Sequence, residues 1–204
     1  MDFINSDAQS IASFLSEPVQ VEEIYVYMQT NYGTSVTPFY TTLALWVGGI
    51  VLVALMKVKV DYEDDEFKDA TEHQKYMGRA LLFLAMGQLQ ALVVVLGDLY
   101  ILKIDCTHPF MLWLVAAITS FVFTLFIYTL VLTFGDLGKA IAVVMIVLQI
   151  AGSGGTYPIE LLPEFFQNVY LYFPFPYAIN AMREAISGLY QCDYAVFLVK
   201  LCAY

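Results

Sequence analysis

The chain has 204 residues, of which 60% are apolar and 16% aromatic, while only 14% are charged, against about 25% in an ordinary soluble domain. With a mean hydropathy of +0.69, this excludes a soluble globule, a disordered chain, a nucleic-acid module and a small disulfide scaffold, and leaves a helical membrane protein whose solvent is the lipid bilayer. The net charge of −10, from 9 basic and 19 acidic residues, gathers in two aqueous segments, and no run of bases along the sequence suits nucleic acid or anionic lipid.

Residues 1–37 read as an extracellular juxtamembrane segment, the base of a stalk. Its first 23 residues hold five acids and no base. Ile4, Ala8, Ile11 and Leu15 repeat at helical spacing behind a capping box, Ser6-x-x-Gln9, and Glu17-Pro18 stops that helix. Val19 to Tyr27 alternates loosely, as a short strand or an extended lead-in would. The start lacks the basic region and long apolar core of a signal peptide.

Residues 38–204 read as an all-α transmembrane domain. A crossing needs about 20 mostly apolar residues, and spans are expected at about 38–58, 79–102, 109–133 and 137–152. Residues 156–190 contain Asn168, Pro174, Pro176 and Asn180, which rules out one continuous helix. They read as a re-entrant hairpin of two short helices, 159–172 and 177–188, broken at Pro174-Phe175-Pro176. A last span begins at 194 and stops at 204, so the chain is expected to be a fragment of a longer protein.

Lysine and arginine set orientation. The segment from Lys57 to Arg79 carries five bases and the turn before the fourth span one, against two on the other side. Residues 59–78 are therefore expected in the cytoplasm, with 1–37 and 153–193 outside the plasma membrane.

Within the spans, Gly87, Gln90, Ala91, Val94 and Asp98 share one helical face, which marks the side turned to other helices. Gln88, Gln90, Asp98 and Gln149 are the intramembrane polar candidates, read first as packing groups and second as a transport path. Asp98 lies near the outer boundary, within reach of water. Ser120, Thr124, Thr129 and Thr133 are expected to bond carbonyls of their own helix.

Little points to chemistry. His73 and His108 fall on opposite sides, so no metal site or HExxH protease is expected. The motif Gly135-Asp136-Leu137-Gly138-Lys139-Ala140 has the wrong spacing for a nucleotide loop. Ser153 in a glycine-rich turn loosely resembles a nucleophile loop, without identifiable partners. No enzyme activity and no cofactor are implied. Cys106 and Cys192 both fall outside, where an oxidising milieu permits a bridge; bridged and free states both stand open.

The stretch from Gln149 to Gly188, QIAGSGGTYPIELLPEFFQNVYLYFPFPYAINAMREAISG, resembles the C-terminal membrane domain of the YhgE/Pip family, the phage infection proteins. The resemblance rests on the SGGTYP turn, Glu160-Leu161-Leu162-Pro163, Phe165-Phe166, Pro174-Phe175-Pro176-Tyr177-Ala178 and Arg183-Glu184-Ala185-Ile186. Pro38-Phe39 and Leu45-Trp46-Val47-Gly48, after Asn31-Tyr32-Gly33, resemble the family's first C-terminal span. That domain is similar in turn to the membrane subunits of type-2 ABC exporters. The resemblance implies a six-span plan, with one span and a large external region ahead of residue 1.

It also implies a non-enzymatic exporter-permease, homo- or hetero-oligomeric, with a separate ATPase docked on residues 59–78 and 134–139. The alternative is a membrane anchor or receptor for phage adsorption, or a secretion-system scaffold. The hairpin residues Ser153, Gly154, Gly155, Pro158, Glu160, Pro163, Pro174, Pro176, Arg183 and Glu184 are expected to form a structural plug or a gate. Gly154 and Gly155 would let the fourth span unwind, and Pro158 would open the next helix from its first turn.

Overall fold

A computed structural model describes residues 31–59, 71–155, 158–189 and 192–204. The N-terminal helix, the extended lead-in and the acidic run Asp61–Asp69 read from the sequence lie outside these residues. Every regular element among the described residues is helical. Hydrocarbon demands this, because a backbone without water must satisfy its polar groups within its own segment.

Helix α1 spans Tyr32–Leu55 and starts ahead of Pro38, where the span was expected to open. Asn31 sets the earlier start, its Oδ1 accepting from the Thr34 amide at 2.8 Å, as an N-cap does. Pro38 is accommodated inside the helix, where it removes one backbone donor. Helix α2 spans Glu72–Leu96 and opens on a capping box between Thr71 and Gln74. It continues into a π-turn over Gly97–Ile101. Helix α3 spans Pro109–Phe134, with Pro109 in the first turn as expected.

Gly135, at φ +62°, turns the chain into α4, Asp136–Gly152. An added Cβ at Gly138 would strike the backbone of Leu130 and Val131, so α3 and α4 pack closely only with glycine there. The stretches Tyr32–Leu55, Glu72–Ile101 and Pro109–Phe134 are long and apolar enough to cross a membrane. Helix α4 has 17 residues, or about 25 Å at 1.5 Å per residue, the lower limit for a hydrocarbon layer of about 30 Å.

The hairpin region differs from the expected pair of helices. A 3₁₀ turn, Ile159–Leu161, precedes the short helix α5, Glu164–Val169, and a second 3₁₀ turn, Tyr170–Tyr172. Helix α6 then runs Pro174–Ser187. The Pro-Phe-Pro motif begins α6 rather than breaking the chain. Pro174 and Pro176 occupy the first turn, where a missing N–H leaves no helical bond unmade. The break falls at Phe173, which is extended. Pro158 and Pro163 each stand just ahead of a helical turn instead of within it. Helix α7, Asp193–Cys202, closes the described chain.

Helix α3 is the hub and packs against α1, α2, α4, α6 and α7. It is apolar on every side, which befits a helix surrounded by protein and lipid. Trp46 anchors the centre. Its ring meets Phe123, Phe126 and Phe175 at 4.9, 5.9 and 5.7 Å, and its Nε1 donates to the Ala142 carbonyl on α4 at 3.2 Å. Helix α2 turns Leu81, Met86, Leu89 and Val93 outward, a face that lipid covers.

Candidate functional site

The polar groups inside the bundle divide into joints, a folded-back hairpin and a few buried groups of separate character. The buried stripe of α2 includes Gly87, Ala91 and Asp98, as the helical spacing predicts. Gln90 and Val94 are half-buried at its edge. Gln90 Nε2 donates to the Ala44 carbonyl of α1 at 2.9 Å, and Gln88 Nε2 donates to the Ala117 carbonyl of α3 at 2.9 Å. The two glutamines flank the stripe and tie α2 to a different neighbour on each side. Gly48 makes the first tie possible, since a Cβ there would overlap the Gln90 side chain.

Asp98 does not face water. It is only 6% exposed, and its Oδ2 accepts from Thr41 Oγ1 at 2.6 Å. It ends the packed stripe inside a π-turn, on the face turned to α1.

The hydroxyls of α3 only partly follow the expected back-bonding. Thr129 and Thr133 bond the Leu125 and Thr129 carbonyls, each at 2.8 Å. Ser120 instead crosses to the Gly87 carbonyl on α2 at 2.7 Å. The absent side chain of Gly87 brings that carbonyl within reach. Thr119 Oγ1, Thr124 Oγ1 and both amide atoms of Gln149 are buried without a hydrogen-bond partner. Gln149 is fully enclosed and lies two turns from Ala142 on the same face of α4.

The hairpin is two bodies of opposite character. Glu160 and Pro163 are exposed, and no residue from Ile159 to Tyr172 is buried. Pro174, Pro176 and Glu184 are buried, because α6 inserts among α1, α3 and α7.

The backbone amides of Thr107 and His108 donate to the carbonyls of Ile186 and Ala185 at 2.9 and 3.0 Å. This fastens the C-terminal end of α6 to the entry of α3. At its other end Phe175 reaches Phe123 and Trp46, so α6 dips into the bundle.

Arg183 joins α6 to the unwound end of α4. Its Nη2 donates to the carbonyls of Gly154 and Gly155 at 3.2 and 3.0 Å, and its Nη1 to Asn180 Oδ1 at 3.1 Å. Helix α4 stops at Gly152 and Gly154 takes φ +63°, so this turn does unwind the helix. Buried Ser153 turns its Oγ to accept the Gly155 amide at 3.2 Å, a loop-closing bond. Gly155 packs on the Phe39 ring where a Cβ would collide. Of the two states left open for the cysteines, the structure has the free one: Cys106 and Cys192 are unbridged.

No cluster of His, Cys, Asp or Glu among the described residues is arranged to hold a metal. Sequence reasoning missed the Phe123–Trp46–Phe175 cluster, whose members are far apart in the chain. It also missed the carbonyl-binding role of Arg183, for which the glycine turn was the only signal.

The family model described as ABC-2 type transporter matches residues 73–186, from the first turn of α2 to the end of α6. The chain is similar to the YhgE protein of Bacillus subtilis (strain 168), with 31% identity over 185 residues. That alignment covers 91% of this chain and 23% of the relative, so the chain spans about a quarter of the relative's length. No solved structure matches.

Proposed function

We propose a function from one premise: this chain belongs to the ABC-2 type transporter family, as a YhgE/Pip-like membrane domain. It is a multi-pass membrane protein of permease type. Within that class we read it as the part of a plasma-membrane exporter that moves a substrate when a separate ATPase acts on its cytoplasmic loops. The chain itself performs no chemistry.

One observation carries the reading. Helix α6 is folded back into the bundle and held at both ends, by Arg183 on the Gly154 and Gly155 carbonyls and by Phe175 on Phe123. A plug seated among crossing helices is what a gated path requires, and irregular backbone survives at membrane depth only against protein or a wet cavity. In this arrangement α4 is the fourth crossing, residues 158–187 form the outer re-entrant hairpin and α7 starts a further crossing. Five bases between Lys57 and Arg79 favour the cytoplasmic side for that segment.

A second reading is a non-transporting anchor or receptor for phage adsorption, or a secretion-system scaffold. The sealed aromatic centre favours it, since no charged route runs past Trp46 among the described residues.

Labelling with a membrane-impermeant maleimide tests the arrangement. Glu160→Cys should react on intact cells, and Lys75→Cys only after permeabilisation; the reverse pattern overturns the topology. Stimulation of a partner ATPase by the reconstituted protein distinguishes the exporter from the anchor.

A further inference from the structure

Arg183 joins two helices that pack mainly on others. Helix α6 packs chiefly against α1, α3 and α7, and α4 against α1, α3 and α5. The bonds from Arg183 Nη2 to the Gly154 and Gly155 carbonyls, at 3.2 and 3.0 Å, attach α6 to the turn that follows α4. Helix α4 is itself unbroken from Asp136 to Gly152, so its outer end moves with the rest of it. Its outward face, Val143, Val144, Val147 and Ile150, is exposed. Its inward face begins with Gly138 and Ala142, which offer almost no side chain to interlock with a neighbour. Further along that face, Gln149 is fully buried with both amide atoms unpartnered. Thr119 and Thr124 of α3 are likewise buried with unpartnered hydroxyls.

We propose that α4 is a two-position element and that Arg183 couples its position to the seating of α6. A buried amide without a partner raises the free energy of the arrangement that holds it. A shift of α4 that pairs the Gln149 amide recovers that cost. It draws the Gly154–Gly155 turn along, and Arg183 carries α6 with it. Packed helices move between discrete arrangements of this kind rather than deforming continuously. The coupling belongs to the fold and needs no ATPase, so its failure would leave the exporter reading untouched. Under that reading, motion imposed at the Gly135 turn reaches α6 by this route.

Native-state hydrogen exchange of the 204-residue chain in detergent, run as a double-mutant cycle, is the test. The amides of α2 report global stability and serve as the reference. Gln149→Met favours the position of α4 seen here, so it should slow exchange of the α6 amides about fivefold relative to those of α2. In the Arg183→Gln background the same substitution should leave α6 exchange unchanged relative to α2.

Arg183→Lys keeps the charge but loses the planar group that reaches Asn180 and both carbonyls at once. It should give an intermediate slowing, which decides the matter even if Arg183→Gln fails to fold. Slowing as large in the Arg183→Gln or Arg183→Lys background as in the wild type overturns the coupling. An absence of slowing by Gln149→Met in the wild type overturns the two positions of α4.

Discussion

Phe175 lies flat against Phe123, with ring centroids 5.4 Å apart and 15° between the planes, and Trp46 meets both rings edge-on. Phe123 is well inside α3, about 20 Å along the helix from Pro109 at 1.5 Å per residue. The stack therefore marks how far α6 descends. Phe175→Ala should destabilise the folded chain by about 3–5 kcal/mol through lost packing and a residual cavity. Combined with Phe123→Ala, the loss should fall short of additivity by about 0.5–1.5 kcal/mol, the share of the ring pair itself. Unfolding in detergent measures both, and strict additivity would mean that the stack does not hold α6.

Two glycines offer a contrast. At Gly48 an added methyl would meet only the end of the Gln90 side chain, whereas at Gly138 it would meet the Leu130 and Val131 backbone. Gly48→Ala should therefore cost about 1 kcal/mol, the hydrogen bond to Ala44, and should be nearly neutral once Gln90 is alanine. Gly138→Ala should cost more than Gly48→Ala and find no such rescue, because packed backbone cannot move aside. Equal effects of the two substitutions would contradict these packings.

Much of this architecture was legible along the chain because it is periodic. The stripe Gly87, Ala91 and Asp98 repeats at helical spacing, and Pro109 and Gly135 punctuate α3 where backbone chemistry requires. What was hidden depends on tertiary neighbours. Asn31 could be recognised as a cap only with α1 already placed. The Pro174-Phe175-Pro176 motif signals both an end and a beginning, and only its insertion between α1 and α3 shows which. Periodicity puts Asp98 on the packed face although its depth allows contact with water, and only the tertiary neighbour Thr41 shows that the carboxyl is enclosed.

Gln149 presents a buried amide with neither donor nor acceptor used. Such a group forfeits its hydration without return, a penalty of about 1–3 kcal/mol. Gln149→Met keeps the length and removes the polar atoms, so it should stabilise the bundle by about 1 kcal/mol or more. Thermal unfolding in detergent reads the sign. Destabilisation would mean that the amide is engaged in the folded protein, and Gln149 would then become the first residue to test for substrate contact.

Cys106 and Cys192 should differ in reactivity as well as in pairing. Cys106 is half-buried in the loop before α3, and its Sγ donates to the Ala185 carbonyl at 3.6 Å. Burial pushes its thiol above the ordinary range, against a smaller opposing effect of the His108 backbone. Cys192 is exposed. The thiolate is the attacking species, so a raised pKa leaves less of it at neutral pH and moves the rise in rate to higher pH. In single-cysteine variants, alkylation of Cys106 should lag well behind Cys192 at about pH 7.5. It should accelerate steeply only above the usual thiol midpoint of about 8.5. The same ionisation makes Cys106 favour the folded state below the unfolded-state pKa, a contribution lost as pH rises through the folded-state value. Equal labelling rates at about pH 7.5 would show that the Ala185 end of α6 does not cover this thiol.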